Sequence, residues 1–392
     1  MSAETIYLDN NATTRVHDDV LEALLPWLKE GYGNPSSTHC MGQPAARAIA
    51  KARSQVARML GARSPREIVF TSGGTESINS AIRSALRFRP GRKRLVTSTV
   101  EHAATANPAT RLAAKGFDVV RAGVDREGRL DTDAVCAAID ETCAVVTLLW
   151  GNNETGVVVP EADLVRIGER AREVGAAFHL DAVQVAGKQP IDVQALPVDL
   201  VSISAHKFHG PKGAGAIWVR SGLDYAPHVE GGTQEEGRRG GTLNTPGIVG
   251  LGAAAQLAAE YAADQSAQAA TRARRDRLEA GLLAALSEST VNGAGGSRVA
   301  NTSNISFQGV RGDALLLLLS ELGVCVSTGS ACSTGKKAPS HVLLGMGVPE
   351  DLAGGSIRLS LSRFSTEADV DAALERIPTA VAQLREMAPS TP

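Results

Sequence analysis

Three short stretches of this 392-residue chain carry side chains that could do chemistry together. Ser204-Ala205-His206-Lys207 closes an apolar run, and a glycine-rich turn follows at 210–215. Taken alone, Lys207 reads as a surface lysine beside a strand end. Asp181 ends a second apolar run, Phe178-His179-Leu180, and Gln184 follows three residues later. Alone, Asp181 is a strand-end cap. Gly73-Gly74-Thr75 ends a third apolar run and opens a helical pattern. A glycine turn feeding a helix N-terminus presents free N–H groups to an anion, typically a phosphate. An amine, a carboxylate and a phosphate cradle at one sheet edge match the needs of pyridoxal phosphate. The amine forms an imine, the carboxylate keeps the pyridinium protonated, and the cradle anchors the phosphate.

A fourth candidate is a thiol. Of the five cysteines, Cys136 and Cys143 lie on and after a helical stretch and read as buried small hydrophobes or bystanders. Cys40 sits in a loop with no evident role, and Cys325, between Val324 and Val326, reads as inert core. Cys332 differs, because its neighbours from Ser327 to Gly335 are small and polar and Lys336-Lys337 follows. The expectation is an exposed, mobile loop in which nearby lysines favour thiolate over thiol. The residues alone leave a reactive and an inert thiol both open.

These candidates must be positioned by the surrounding elements. Strand-like runs are expected at 67–71, 94–97, 119–121, 144–150, 177–181, 200–204 and 214–220. Helix-like stretches at 75–87, 103–115, 132–140 and 161–174 alternate with them. Alternation of this kind predicts an α/β fold, a mostly parallel sheet sandwiched by helices, with its ligand crevice at the carboxyl ends of the strands. Beyond Gly247 the pattern changes. An Ala-rich helical stretch at 248–287 precedes a strand at 304–307, a helix at 313–322, a strand at 356–360 and a helix from about Thr366. This predicts a smaller α+β C-terminal domain. The expected division is 16–258 for the large domain, with 1–15 and 259–392 forming the small one.

Bulk properties narrow the function classes. With 43% hydrophobic and 21% charged residues, the chain can bury a core and is not disordered. A net charge of -2 lacks the footprint of a general nucleic-acid binder. No apolar run approaches the roughly 20 residues of a membrane span, and the start MSAETIYLDN does not resemble a signal peptide. An odd, sparse set of cysteines predicts reduced thiols in the cytoplasm. No zinc-ligand spacing occurs, so no metal is expected. Ser204 and Lys207 have the spacing of penicillin-binding serine acylases, but the companion Ser-Asp-Asn and Lys-Thr-Gly motifs are missing. The glycines at 293–296 have no dinucleotide-binding context, and the basic run 272–277 reads as a solvated helix face.

Taken together, the motifs resemble the cysteine desulfurases of the class V aminotransferase superfamily, nearest the nitrogen-fixation (NifS-type) branch. The resemblance is carried by Tyr7-Leu8-Asp9-Asn10-Asn11-Ala12-Thr13-Thr14, Gly33-Asn34-Pro35-Ser36-Ser37 and Thr71-Ser72-Gly73-Gly74-Thr75-Glu76-Ser77. Asn152-Asn153-Glu154-Thr155-Gly156, His179 to Gln184, Ser204 to Lys207, Gly329-Ser330-Ala331-Cys332 and Pro339-Ser340-His341-Val342-Leu343 continue it in order. It implies fold type I of the pyridoxal phosphate enzymes and sulfur removal from L-cysteine, giving L-alanine and a persulfide on Cys332. Alternatives are a selenocysteine lyase, a class V aminotransferase or a non-catalytic scaffold.

The resemblance also implies roles. Lys207 would hold the cofactor as an imine and then act as base at the substrate Cα. Asp181 would pair with the pyridinium nitrogen, Gln184 with the ring hydroxyl oxygen, and His102 would stack on the ring and move the proton of the substrate thiol. Gly74, Thr75, Ser204 and His206 would contact the phosphate, and Thr242 the phosphate of a partner subunit, implying a homodimer. Asn153 and Arg358 would hold the substrate carboxylate, and a sulfur-acceptor protein such as an iron–sulfur cluster scaffold would discharge Cys332. One departure is local: Glu236 stands where the family has an arginine, which bears on ion pairing near the dimer-crossing loop.

Overall fold

A computed structural model of the chain describes residues 5–328 and 339–387. Its strands in chain order are β1 (Ile6–Tyr7), β2 (Ile68–Thr71), β3 (Arg94–Ser98), β4 (Asp118–Ala122), β5 (Cys143–Leu149), β6 (Ala177–Asp181), β7 (Leu200–Ser204), β8 (Gly215–Val219), β9 (Ser289–Val291), β10 (Thr302–Phe307), β11 (Val324–Cys325) and β12 (Ser356–Ser360). The main sheet runs β2-β8-β7-β6-β5-β3-β4. All its pairings are parallel except those of β8, which is antiparallel to both β7 and β2. The expected helix-covered, mostly parallel α/β sheet is therefore the architecture found.

Alternating side chains explain the two covered faces. Phe70, Val96, Val146, Phe178, Val201 and Trp218 point into one core. Their neighbours Leu95, Val145 and Ala177 enter a second core, and Val69, Leu200 and Ile217 a third. The helix Gly74–Arg87 packs on β5 to β8, whereas Gly42–Met59 and Thr245–Ala263 pack against each other. Across the centre of the sheet runs one polar ladder. Thr147 Oγ1 meets His179 Nδ1 at 2.8 Å, and His179 Nε2 meets Ser202 Oγ at 2.8 Å. Burial alone pushes His179 down to about 3, so the ring is neutral and each ring nitrogen has a partner.

A separate apolar cluster joins Leu278, Leu282, Ile305, Phe307, Ile357, Leu359 and Ile377. Here β12-β10-β9 form an antiparallel sheet, and β1 pairs in parallel with β11. In the proposed division into 16–258 and 1–15 with 259–392, this cluster belongs to the small part, and the boundary falls within the helix Thr245–Ala263. The stretch expected to be helical at 248–287 is two helices, Thr245–Ala263 and Gln265–Ala285. Asp264 separates them in a non-helical conformation and caps the second by accepting from the N–H groups of Ser266 and Ala267. The short strands β1 and β9 are not legible in the sequence, since two or three residues carry no alternation, whereas β11 is the apolar strand expected around Cys325. The helix Ala103–Ala113 contains Pro108, which cannot donate to the Ala104 carbonyl one turn back. Asn79 Nδ2 donates to that carbonyl instead, at 3.3 Å.

Glu101 ties the end of β3 to the end of β5. Ser98 Oγ donates to it at 2.6 Å, and the Leu149 N–H donates to both carboxyl oxygens at 3.1 and 3.0 Å. Burial pushes this carboxyl up from 4.5 to about 8, against the lowering effect of those donors. Its folded pKa lies above its unfolded one, so its stabilising contribution is whole at low pH and is lost as pH rises through about 8. The cofactor-free protein is expected to lose stability from about pH 4.5 to about pH 8, by up to about 1.4 kcal/mol per pH unit from this group, and to level off above that. Glu101→Gln keeps an acceptor for Leu149 and should flatten the slope. Denaturant unfolding across this range checks it, and parallel slopes would show that Glu101 is ionised throughout.

Candidate active site

The carboxyl ends of β2, β3, β5, β6 and β7 converge on a cavity of about 380 Å³. Gly74, Thr75, His102, Asn153, Asp181, Gln184, Ser204, His206, Lys207 and Arg358 all line it. Thr242 does not: it is exposed on another part of the chain. Cys332 lies outside the described residues. The chain leading to it passes Ser327 and Thr328 on the cavity wall, and Ser327 exchanges backbone hydrogen bonds with Arg358. On the far side, Ser340 Oγ donates to Glu154, and His341 Nε2 donates to the Glu101 carbonyl at 2.9 Å.

Lys207 sits on a tight turn immediately after β7. Thr14 secures that turn, since its N–H donates to the His206 carbonyl and its hydroxyl accepts from the His209 N–H at 2.8 Å. His209 takes a positive φ of 68°, uncommon for a non-glycine residue. The Lys207 amine donates to the carbonyls of Asn11 (2.6 Å) and Ala12 (2.8 Å).

Asp181 is fully buried at the end of β6, where burial pushes it up to about 6. One oxygen accepts from the Val183 N–H at 3.0 Å. A buried carboxylate with spare lone pairs suits a cationic ring nitrogen, whose charge would restore its ionised form. His102 caps the helix Ala103–Ala113, its Nδ1 accepting from the Ala104 N–H at 3.1 Å. Burial, then Lys207, pushes the ring down to about 4, so His102 is a neutral imidazole with its proton on Nε2. Burial likewise takes His206 down to about 4.

The helix Gly74–Arg87 opens at the cavity. Gly73 has φ 153° and ψ -178°, a region essentially reserved for glycine. A Cβ on Gly74 would stand 2.8 Å from Val183 Cγ2, so only glycine fits there. The helix N-terminus with Thr75 and Ser204 beside it is an anion cradle in position.

On the opposite wall, Arg358 donates to Asp9 (2.7 Å) and to the Asn153 carbonyl (3.0 Å). Its Nε and the amide oxygen of Asn153 are buried and lack partners among the described residues. Orphaned polar atoms at a cavity wall call for a polar ligand. The residues present thus fit pyridoxal phosphate. Lys207 would carry it, Asp181 would meet its ring nitrogen, His102 its ring face, and Gly74, Thr75, Ser204 and His206 its phosphate.

Sequence reasoning assigned no role to Asp9, Asn11, Lys188, Glu101 or Glu154. Asp9 and Asn11 fall in a quoted motif, but no local pattern says that this segment returns to the sheet edge. At the departure noted above, Glu235 is the buried member: it receives Arg53 and the Phe70 N–H. Glu236 is exposed, 3.7 Å from Arg66 and 3.9 Å from Arg238, and both glutamates take positive φ. Cys143 is buried, with its thiol pushed up by burial to about 11, Cys40 is exposed, and Cys325 is half-buried in β11. Among the described residues no group of acidic, histidine and cysteine side chains is placed to hold a metal, and no helix is long and apolar enough to cross a membrane.

Comparison with known proteins agrees with this geometry. The family model for class-V aminotransferases matches residues 6–373. A protein of Cereibacter sphaeroides named cysteine desulfurase is 49% identical over 387 residues, covering 98% of each chain. The cysteine desulfurase NifS of Azotobacter vinelandii is 44% identical, covering 98% of this chain and 94% of its own. Among solved structures, a NifS-like protein superposes with a TM-score of 0.89 at 38% identity, covering 97% of this chain and 100% of its own. The chain belongs to the class-V aminotransferase family.

Proposed function

We propose that this chain is a cysteine desulfurase, taking sulfur from L-cysteine to leave L-alanine and a persulfide on Cys332. The reading is carried by one observation. A lysine amine, a buried carboxylate, a glycine-opened helix and an arginine with an unpaired Nε share one cavity. Two similar proteins carry the name cysteine desulfurase, and a solved structure titled SspA in complex with cysteine aligns with 92% of this chain at a TM-score of 0.79 and 35% identity.

Bound pyridoxal phosphate supplies an electron sink for charge at the substrate Cα. The residues of this chain do the rest. Arg358 and Asn153 receive the substrate carboxylate, a task suited to a planar guanidinium. The Lys207 amine takes the Cα proton once released from the Asn11 and Ala12 carbonyls. His102, with Nδ1 held by the Ala104 N–H and its proton on Nε2, donates from Nε2 toward the substrate sulfur and takes the thiol proton there only after passing its own proton on. The Cys332 thiolate attacks the substrate sulfur, so an S–S bond forms as the carbon–sulfur bond breaks and its electron pair stays with carbon. Protonation of that carbon yields alanine. The exposed Thr242 supports a homodimer in which it reaches a second copy's phosphate site. A sulfur acceptor such as an iron–sulfur cluster scaffold, and a cytoplasmic location, complete the reading.

Three variants test it. Lys207→Ala should lose the visible absorbance of the bound cofactor. Cys332→Ala should keep that absorbance and lose sulfide release by at least about 10³-fold, since no thiol lines the cavity among the described residues. Sulfide release by this variant at the wild-type rate would remove Cys332 from the reaction. Arg358→Lys keeps the charge but not the planar fork, and should raise KM for L-cysteine about tenfold with a smaller change in kcat. An unaltered KM in steady-state assays would place the carboxylate elsewhere.

A further inference from the structure

Lys188 is a second lysine at this site, and the chemistry above leaves it without a task. It lies four residues beyond Gln184, in the turns that follow β6. Its amine points inward and donates to Gln184 Oε1 at 2.7 Å and to Asn11 Oδ1 at 2.9 Å. No carboxylate pairs with it among the described residues. Burial pushes the amine well below the ordinary lysine range, and the cations Lys207 and Arg358 push it further. A desolvated amine among cations is costly, so its two hydrogen bonds are the place to look for a purpose.

Those bonds complete a set of side-chain amides whose orientation is fixed throughout. Backbone carbonyls only accept, so the amide nitrogens must face them. Gln184 Nε2 donates to the Asn11 carbonyl at 3.0 Å. Asn301 Nδ2 donates to the Leu361 carbonyl (2.9 Å) and to Asn11 Oδ1 (3.1 Å). Asn11 Nδ2 donates to Thr302 Oγ1 (2.8 Å) and to the Asn153 carbonyl (3.2 Å). The oxygen ends then need donors. Lys188 supplies the donor to Gln184 Oε1 and shares Asn11 Oδ1 with Asn301. Gln184 lines the cavity, and one of its two amide N–H bonds remains for a ligand there.

We propose that Lys188 is a positioning residue that locks the Gln184 amide, so that the amide presents an N–H rather than its oxygen to the bound cofactor. This rests on the reading that the cavity takes pyridoxal phosphate. Without Lys188, Gln184 Oε1 has no donor, and a turned amide would set an oxygen against the electron-rich oxygen of the cofactor ring. Lys188 therefore acts on the cofactor through Gln184, and the two residues form one unit.

A double-mutant cycle on the holoenzyme tests this, reading the pH at which the visible band of the bound cofactor interconverts. Loss of the N–H donor should raise that midpoint, by about 1 pH unit, in Lys188→Met and in Gln184→Leu alike. The double variant should show no further rise, because Lys188 has nothing left to orient. An unchanged midpoint in Lys188→Met, or shifts that sum in the double variant, would overturn the role. If Lys188→Met yields no folded protein, Lys188→Gln replaces it in the same cycle. A shift that vanishes on the Gln184→Leu background then supports the role, and one that persists overturns it. A wild-type protein with no visible band after incubation with pyridoxal phosphate would overturn the cofactor reading and this one together. A normal wild-type band with additive shifts would overturn only this one.

Discussion

The carbonyl oxygens of Asn11 and Ala12 hold the Lys207 amine, and the segment that carries them holds much else. Asp9 receives Arg358, and the Asn11 amide joins Lys188, Asn301 and Thr302. Asn10 donates to the Ser360 carbonyl, while Thr14 grips the turn of the lysine. Residues 9–14 therefore stitch the edge of the large sheet to the small antiparallel sheet. The cavity lies along that seam, and its two walls keep their spacing because one short stretch of backbone is bonded to both. Loss of any one of these contacts would leave a buried polar group unsatisfied, which is what makes the arrangement unique.

The electrostatics follow from that enclosure. Lys207 and Arg358 line the cavity together with Asp181 and Asp9, at a site that would receive a phosphate and a carboxylate. Burial removes the histidines from this balance by holding His102 and His206 neutral. It also raises Asp181, which leaves that carboxylate in want of a positive partner. The protein thus keeps a buried carboxylate at the cavity that a cationic ligand group would satisfy. Ligand binding and protein stability draw on the same ionic contacts.

Much of this was legible in the residues. The strands of the main sheet announce themselves because both faces are covered, giving continuous apolar runs such as 144–150. Lys207, Asp181 and Gly74 could be placed at strand ends from position alone, and the sheet then had to bring them together. Four features were hidden for physical reasons. Strands of two or three residues carry no period. The break at Asp264 interrupts no hydrophobic pattern, because the helices on either side are both Ala-rich. The role of Asn11 depends on contacts with residues some 290 positions away, which no local window contains. Lys188 carries no local signal, because nothing in its neighbours says that its amine turns inward.

The seam also has a meaning for biosynthesis. The Asn11 N–H donates to Ser360 Oγ, 349 positions downstream, and Arg358 reaches back just as far to Asp9. On the ribosome, residues 9–14 emerge long before residues 358–360 and must wait for them before these contacts form. The α/β sheet can form in the meantime, since its strands lie between Ile68 and Val219. A nascent or prematurely terminated chain would therefore own a folded sheet and a lysine but no closed pocket. Such a chain would lack Arg358 and its side of the cavity wall, so the pocket is completed only when the late-made small sheet docks.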